Sequence, residues 1–152
     1  SPLGTGGALK FATGHMHEDT SVLALNGDTL NLINFFDFCQ DSESSDIRVL
    51  LRKVRDASRF GAAKFEGKKL TGFSEKSESG PAWINAGVYL IKPKIFRLNG
   101  CPDVFSFEDR FLRNPCHQLH VGAFKSESYF IDIGIPDDFE RAQLELPRLI
   151  NV

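Results

Sequence analysis

Cysteine is scarce and odd in number: Cys39, Cys101 and Cys116 stand at unrelated spacings. A disulfide framework needs paired cysteines, so reduced thiols and a cytoplasmic setting are the expectation. No stretch approaches the roughly 18 apolar residues of a membrane span, and the start of the sequence shows no charged leader followed by an apolar run. The expectation is a chain neither inserted nor exported by a signal of its own. Long basic runs are also wanting. Eighteen Lys+Arg against twenty Asp+Glu give a formal charge of -2, so sequence-independent attraction to nucleic acid or an anionic membrane has no electrostatic basis. One Trp, two Tyr and one Met against fourteen Phe point to a Phe-packed core.

What is present suits one globular domain over residues 1–152. At 41% hydrophobic and 25% charged residues, such a chain buries roughly two-thirds of its unfolded surface in a single core. The glycine-rich Pro2-Leu3-Gly4-Thr5-Gly6-Gly7-Ala8 reads as a loop running into a short helix, about Gly7 to Thr13. Ser21 to Asn26 is a continuous apolar run, as in a parallel strand covered on both faces. Leu32, Ile33, Phe35, Phe36 and Cys39 recur at helical spacing, and Ile47 to Val54 reads as the next strand. Gly61–Phe65 and Leu70–Ser74 flank a polar turn and predict a hairpin. Ile84 to Ile91 is another buried strand, with a short helix after Pro93.

Ser106 predicts a helix cap, with Glu108 and Asp109 favoured by the dipole of its first turn. His120–Phe124 and Tyr129–Ile133 are the last strands. Pro136 suits the first position of a terminal helix, striped by Phe139, Ala142 and Leu146 and ended by Pro147. Alternating strands and helices with one inserted hairpin predict an α/β fold with a mixed, mostly parallel sheet.

The chemistry-bearing residues lie at strand ends and in the glycine segment. The glycine segment lacks the Gly-Lys-Ser/Thr ending of a P-loop and the third glycine of the dinucleotide motif. Its small residues permit close backbone approach to a base or phosphate, and an ordinary turn has the same composition. Asp28 and Asp132 each stand at the end of an apolar strand beside glycine, where open α/β sheets face their ligand crevice. If those strands are neighbours, the carboxylates converge on a hard-oxygen site suited to Mg²⁺; otherwise they are two unrelated loop aspartates. Glu75-Lys76 and Asn85-Ala86-Gly87 supply a cation, hydrogen-bonding groups and a residue without a side chain, which a phosphorylated sugar requires. His15-Met16-His17 and Cys116-His117-Gln118-Leu119-His120 lack the second pair of ligands that a zinc site needs.

In this order, Pro2–Ala8, Asn26-Gly27-Asp28, Arg59-Phe60-Gly61, Glu75-Lys76, Ile84–Tyr89 and Tyr129–Pro136 resemble the sugar-1-phosphate nucleotidyltransferases over nearly the whole chain. The D-glycero-D-manno-heptose 1-phosphate guanylyltransferases are the nearest in flavour. The resemblance implies a Rossmann-like nucleotidyltransferase fold and transfer of a nucleotidyl group from a nucleoside triphosphate to a sugar 1-phosphate, with release of pyrophosphate and Mg²⁺ as cofactor. It implies that Gly4, Thr5, Gly6 and Gly7 line the base pocket and that Asp28 and Asp132 hold the metal. Gly61, Glu75, Lys76, Asn85 and Gly87 would form the sugar side, with Asp28 and Lys76 catalytic. Phe60 stands where Tyr is common and Ser77 where many relatives have Pro, so the sugar's identity stays open.

Family members begin with a strand and a Gly-rich loop carrying Gly-Thr-Arg, followed later by Pro-Lys, and this sequence starts after them. The expectation is therefore the C-terminal portion of such an enzyme, lacking its N-terminal strands and inactive alone. The alternatives are a nucleotide-sugar or sugar-phosphate binding module without chemistry, and a self-associating remnant. Ser21–Asn26 should be an open sheet edge, through which the chain would form homo-oligomers.

Overall fold

The structure, a computed structural model, describes residues 2–40, 45–66, 69–74, 79–98, 100–113 and 119–149. Its elements run α1 (Gly4–Thr13), β1 (Val22–Leu25), β2 (Thr29–Asn31), α2 (Phe35–Cys39), β3 (Ile47–Val54), β4 (Ala63–Glu66), β5 (Lys69–Phe73) and β6 (Ala82–Ile91). They continue with α3 (Lys94–Leu98), a π-helical turn (Glu108–Arg113), β7 (Val121–Ser126), β8 (Phe130–Asp132) and α4 (Pro136–Leu149).

The apolar runs form a four-stranded sheet in the order β1-β6-β3-β7, with β4–β5 as a hairpin and β2–β8 as a separate two-stranded ribbon. Successive residues of a strand point to opposite faces, and here both faces are covered. Ile47, Val49, Leu51, Tyr89 and Ile91 enter one core with Phe107, Phe111 and Leu112. Leu50, Val88 and Leu90 enter a second core with Phe38 and Ala86. Burying each such side chain is worth about 1.5–3 kcal/mol, which explains why β3 and β6 read as continuous apolar runs. In the larger core, Phe96, Phe105, Phe107 and Phe111 meet edge-on or tilted at centroid distances of 5.4 to 6.4 Å, the Phe-packed interior that the composition predicts.

The α/β class and mixed sheet are as expected. The balance of directions differs: β1·β6 and β3·β6 are antiparallel, and β3·β7 is the parallel pairing among the described residues. A continuous apolar run signals burial on both faces and carries no information about direction. Another difference is β2, which is three residues long and too short to show a period. Its pairing with β8 and the bond from Asn31 Nδ2 to Ala86 O (3.0 Å) make it a strand. α4 continues through Pro147 to Leu149; so near an exposed helix end, proline's missing N–H removes one bond without ending the helix.

β1 is an outer strand, with Leu23 37% and Leu25 53% exposed. Asp46, Lys94 and the His120 N–H hold the start of β3 to neighbouring segments: Lys94 Nζ lies 3.1 Å from Asp46 Oδ1, and the His120 N–H donates to Asp46 Oδ2 at 3.0 Å.

Candidate functional site

Between β3 and β6 the register slips. From Val49↔Tyr89 to Leu51↔Asn85, β6 advances by more residues than β3 does. The extra residues include Gly87, whose φ of +71° and whose close approach to the Asn26 side chain (2.7 Å from a built Cβ) exclude a larger residue without strain. Bulges of this kind re-aim side chains. Here the bulge puts Asn85 and Tyr89 on a common network and brings Gly87 O to the Asn26 N–H, 2.8 Å away.

A cavity of about 540 Å³ lies beside it. Its walls are Thr5, Ala8 and Leu9 of α1, the segment Ala24 to Asp28, Tyr89 of β6 and Glu108 of the π-helical turn. A smaller space of about 140 Å³, lined by Gly61, Ser74, Asn85 and Arg113, adjoins it and shares Glu108. Glu108 is the node between them. Its Oε2 accepts from Thr5 Oγ1 at 2.6 Å and from Ser106 Oγ at 3.2 Å, and its Oε1 accepts from Tyr89 Oη at 3.2 Å. Asn85 Nδ2 donates to Tyr89 Oη at 2.7 Å, while its Oδ1 accepts the Gly87 N–H at 3.0 Å.

Burial, reinforced by the Glu108 carboxylate, drives the Tyr89 hydroxyl well above its ordinary range, so it remains a neutral donor. Among the described residues lining the main cavity are two carboxylates, Asp28 and Glu108, and no cation.

The glycine segment takes a different form from the expected loop. Gly4 to Gly7 already belong to α1, and Gly7 and Gly6 are there because the Asp103 backbone and the Phe105 ring, respectively, leave no room. A Cβ on Gly7 would sit 2.1 Å from Asp103 O, and one on Gly6 2.2 Å from the Phe105 ring. Their N–H groups donate to Phe105 O at 3.4 and 3.0 Å. Of Gly4, Thr5, Gly6 and Gly7, Thr5 lines the main cavity.

Asp28 and Asp132 are brought to one ribbon. Thr29 pairs with Asp132, and the Ile133 N–H donates to Asp28 O at 2.9 Å. Their side chains open on different hollows, however: Asp28 on the main cavity and Asp132 on a hollow of about 270 Å³. Asp132 Oδ1 also accepts the Gly134 N–H at 2.8 Å. Gly61 and Asn85 line the smaller space, and Gly87 shapes the bulge. Glu75 and Lys76 lie outside the described residues, as do Cys116 and His117.

Sequence reasoning passed over Tyr89 and Glu108 as site residues. Glu108 reads as an ordinary acidic residue of a first helical turn, and only the fold brings it to Tyr89 and Thr5. The available signal was Tyr89 itself, a phenol inside an apolar strand that must find a polar partner.

Residues 1–148 match the family described as nucleotidyl transferase. The D-glycero-alpha-D-manno-heptose 1-phosphate guanylyltransferase of Aneurinibacillus thermoaerophilus is 37% identical over 151 residues, 98% of this chain and 65% of that protein. Its namesake in Campylobacter jejuni is 35% identical over 142 residues, 91% of this chain and 61% of that protein. The crystal structure of HddC from Yersinia pseudotuberculosis has a TM-score of 0.82 at 34% identity and covers 96% of this chain and 64% of that one. The same values hold for HddC complexed with GMP-PN. The chain thus spans a little under two-thirds of the length of these relatives.

Proposed function

The chain belongs to the nucleotidyl transferase family, and from that premise we propose that it carries the sugar-phosphate side and the metal carboxylates of a site that joins a sugar 1-phosphate to a nucleoside triphosphate. A phosphate oxygen of the sugar 1-phosphate bonds to the α-phosphorus of the triphosphate, the bond from that phosphorus to the bridging oxygen breaks, and pyrophosphate leaves with the electron pair. The guanylyltransferase names of the relatives and the GMP-PN complex of HddC support a guanine nucleotide as donor.

The observation behind this reading is the main cavity itself, which holds Asp28 and Glu108 with no cation among its described lining residues. Bare carboxylates repel a phosphate unless a divalent ion or cations from elsewhere intervene. Hard oxygens suit Mg²⁺, which is commonly held by one or two carboxylates together with substrate phosphates. Asp28, the residue before β2, and Asp132 of β8 carry hard oxygens of that kind and are the residues assigned to the ion, tied to each other through the ribbon backbone although they line different hollows. When bound, the ion supplies charge neutralisation at the phosphates.

The residues of this chain then act by position. Thr5, Ala8 and Leu9 wall the nucleotide side, with Gly4, Gly6 and Gly7 fixing the wall. The Asn85–Tyr89–Glu108 network holds hydrogen-bonding groups rigid between the two spaces, and Gly61, Asn85 and Gly87 shape the sugar side. Glu75 is assigned to sugar hydroxyls and Lys76 to the sugar phosphate. Reduced Cys39 and Cys101 fit a cytoplasmic enzyme.

The 152 residues alone are proposed to turn over little or nothing, because the cations opposing a triphosphate must come from beyond this cavity lining. A binding module without chemistry is the second reading, favoured by that same deficit. The outer strand β1, with Leu23 and Leu25 exposed, is the proposed seam for an added strand or a second copy, which sedimentation tests.

Calorimetry with a panel of nucleotide sugars, with and without Mg²⁺, tests the site. Mg²⁺-dependent binding weakened at least about tenfold by Asp28→Ala and by Asp132→Ala supports it. Binding indifferent to both substitutions, or absent across the panel, refutes it. A pyrophosphate-release assay with heptose and hexose 1-phosphates separates enzyme from binding module, and robust turnover by this chain alone would overturn the proposed inactivity.

A further inference from the structure

Although the chain is net negative, folding gathers five cations around the hollow of about 270 Å³ on the Asp132 side of the ribbon. Arg52, Lys53 and Arg55 come from the end of β3 and the residue after it, Arg59 from the following turn and Arg141 from α4. None of these positions is adjacent to the main cavity in its lining, and the two spaces share no lining residue.

In the lining itself these five cations face two carboxylates, Asp132 and Asp138. Asp138 is shared by Arg59 and Arg141, each at 3.1 Å, and Arg141 Nε also lies 3.6 Å from Glu145 Oε1. Lys53 meets Glu127 at 3.4 Å. Arg52 spends one N–H on Ser126 O at 3.5 Å, out of the five that a guanidinium offers. Arg55 has no ion-pair partner among the described residues. The apolar part of the wall is Val54, Phe60, Phe130 and Ile131, and Arg59 lies over the Phe60 ring at 5.5 Å. Apolar walls around a surplus of one sign focus its field and draw in counter-ions.

We propose that this arginine-lined hollow is a binding site for a compact phosphate ligand of the inorganic diphosphate class, separate from the main cavity. Planar guanidiniums arriving from β3, the turn at Arg59 and α4 can each meet a pair of phosphate oxygens. The volume suits a small ligand: at about 270 Å³ it lies below the roughly 300 Å³ at which drug-sized ligand pockets begin. The inference stands whether or not the chain takes part in nucleotidyl transfer.

The test is calorimetric titration of the chain with sodium diphosphate in EDTA, which removes any metal-dependent binding at Asp28 and at Asp132, the latter a residue of this hollow. Orthophosphate, a sugar phosphate and sulfate at matched ionic strength form the other arms. Diphosphate is expected to bind most tightly, and Arg55→Gln with Arg141→Gln to weaken it at least about tenfold. Lys64→Gln, an exposed control, should leave the affinity unchanged, and circular dichroism should show all variants folded. Equal affinity for diphosphate and sulfate, diphosphate binding untouched by the double substitution, or no heat at all would each overturn the proposal. Preference for the sugar phosphate would also overturn it, by placing the site's ligand among phosphate esters.

Discussion

The two hollows flanking the β2–β8 ribbon are built in opposite ways. The main cavity is walled by tight packing: α1 is pressed onto residues 103–105 through Gly6 and Gly7, and a hydrogen-bonded network is fixed behind it. Its charge is negative, from Asp28 and Glu108. The arginine hollow is walled by partly exposed ion pairs, Arg59 and Arg141 sharing Asp138 and Lys53 meeting Glu127, and its lining carries more cations than carboxylates. Packing tolerates little change in volume, whereas exposed ion pairs contribute little to stability and are weakened by salt. The first wall is therefore the place where substitution unfolds the protein, and the second the place where it alters binding.

The largest effect that would sharpen this contrast is Gly7→Ala, whose Cβ meets the Asp103 carbonyl at 2.1 Å. It is expected to cost about 3 kcal/mol in urea unfolding, while Gly27→Ala, with nothing within 4 Å of its Cβ, stays within about 0.5 kcal/mol. Equal effects at the two positions would break the claim that packing sets the α1 wall. Next in size is Glu108→Gln. It alters the acceptors of Thr5, Ser106 and Tyr89 at the boundary of both spaces and should cost about 1–2 kcal/mol. An unchanged unfolding midpoint would show that the network is dispensable.

On the other side, Arg59→Gln removes one partner of Asp138 and is expected to cost less than about 1 kcal/mol. A loss as large as that of Gly7→Ala would erase the distinction between the two walls. The smallest effect concerns a contact outside both hollows. Burial pushes the Asp46 carboxyl up, but the His120 N–H and the Lys94 ammonium outweigh burial and hold it below its usual value. Its contribution is present above the unfolded value and is lost as pH falls through the lower folded one, below about pH 4. Asp46→Asn should flatten that acid limb of the stability profile, and an unaltered limb would assign acid sensitivity elsewhere.

Much of the fold was legible because burial leaves a mark on residue type. Ile47–Val54 and Ile84–Ile91 had to be strands covered on both faces, and Leu70 to Phe73 with Ala63 to Phe65 had to be a hairpin. Direction left no such mark, so β6 reads the same whether it runs parallel or antiparallel to β3. The candidate site was legible in part. Asp28 and Asp132 declare themselves as carboxylates at the ends of apolar strands, and Asn85 and Gly87 as interruptions in one. Glu108 gives no such sign, since an acidic residue in a first helical turn is ordinary. The arginine hollow was equally hidden, because its cations come from positions 52, 53, 55, 59 and 141 and no local window holds them all.

Composition and pattern by themselves pointed to a Phe-packed α/β fold with acidic strand ends, since solvent exclusion selects residue types one segment at a time. Only the tertiary structure decided which segments meet: that α1 rests on residues 103–105, that Tyr89 finds Glu108, and that Asp28 and Asp132 share a ribbon while opening on different spaces. Contacts between residues far apart in the chain depend on strand register and crossing, which side-chain polarity does not encode locally.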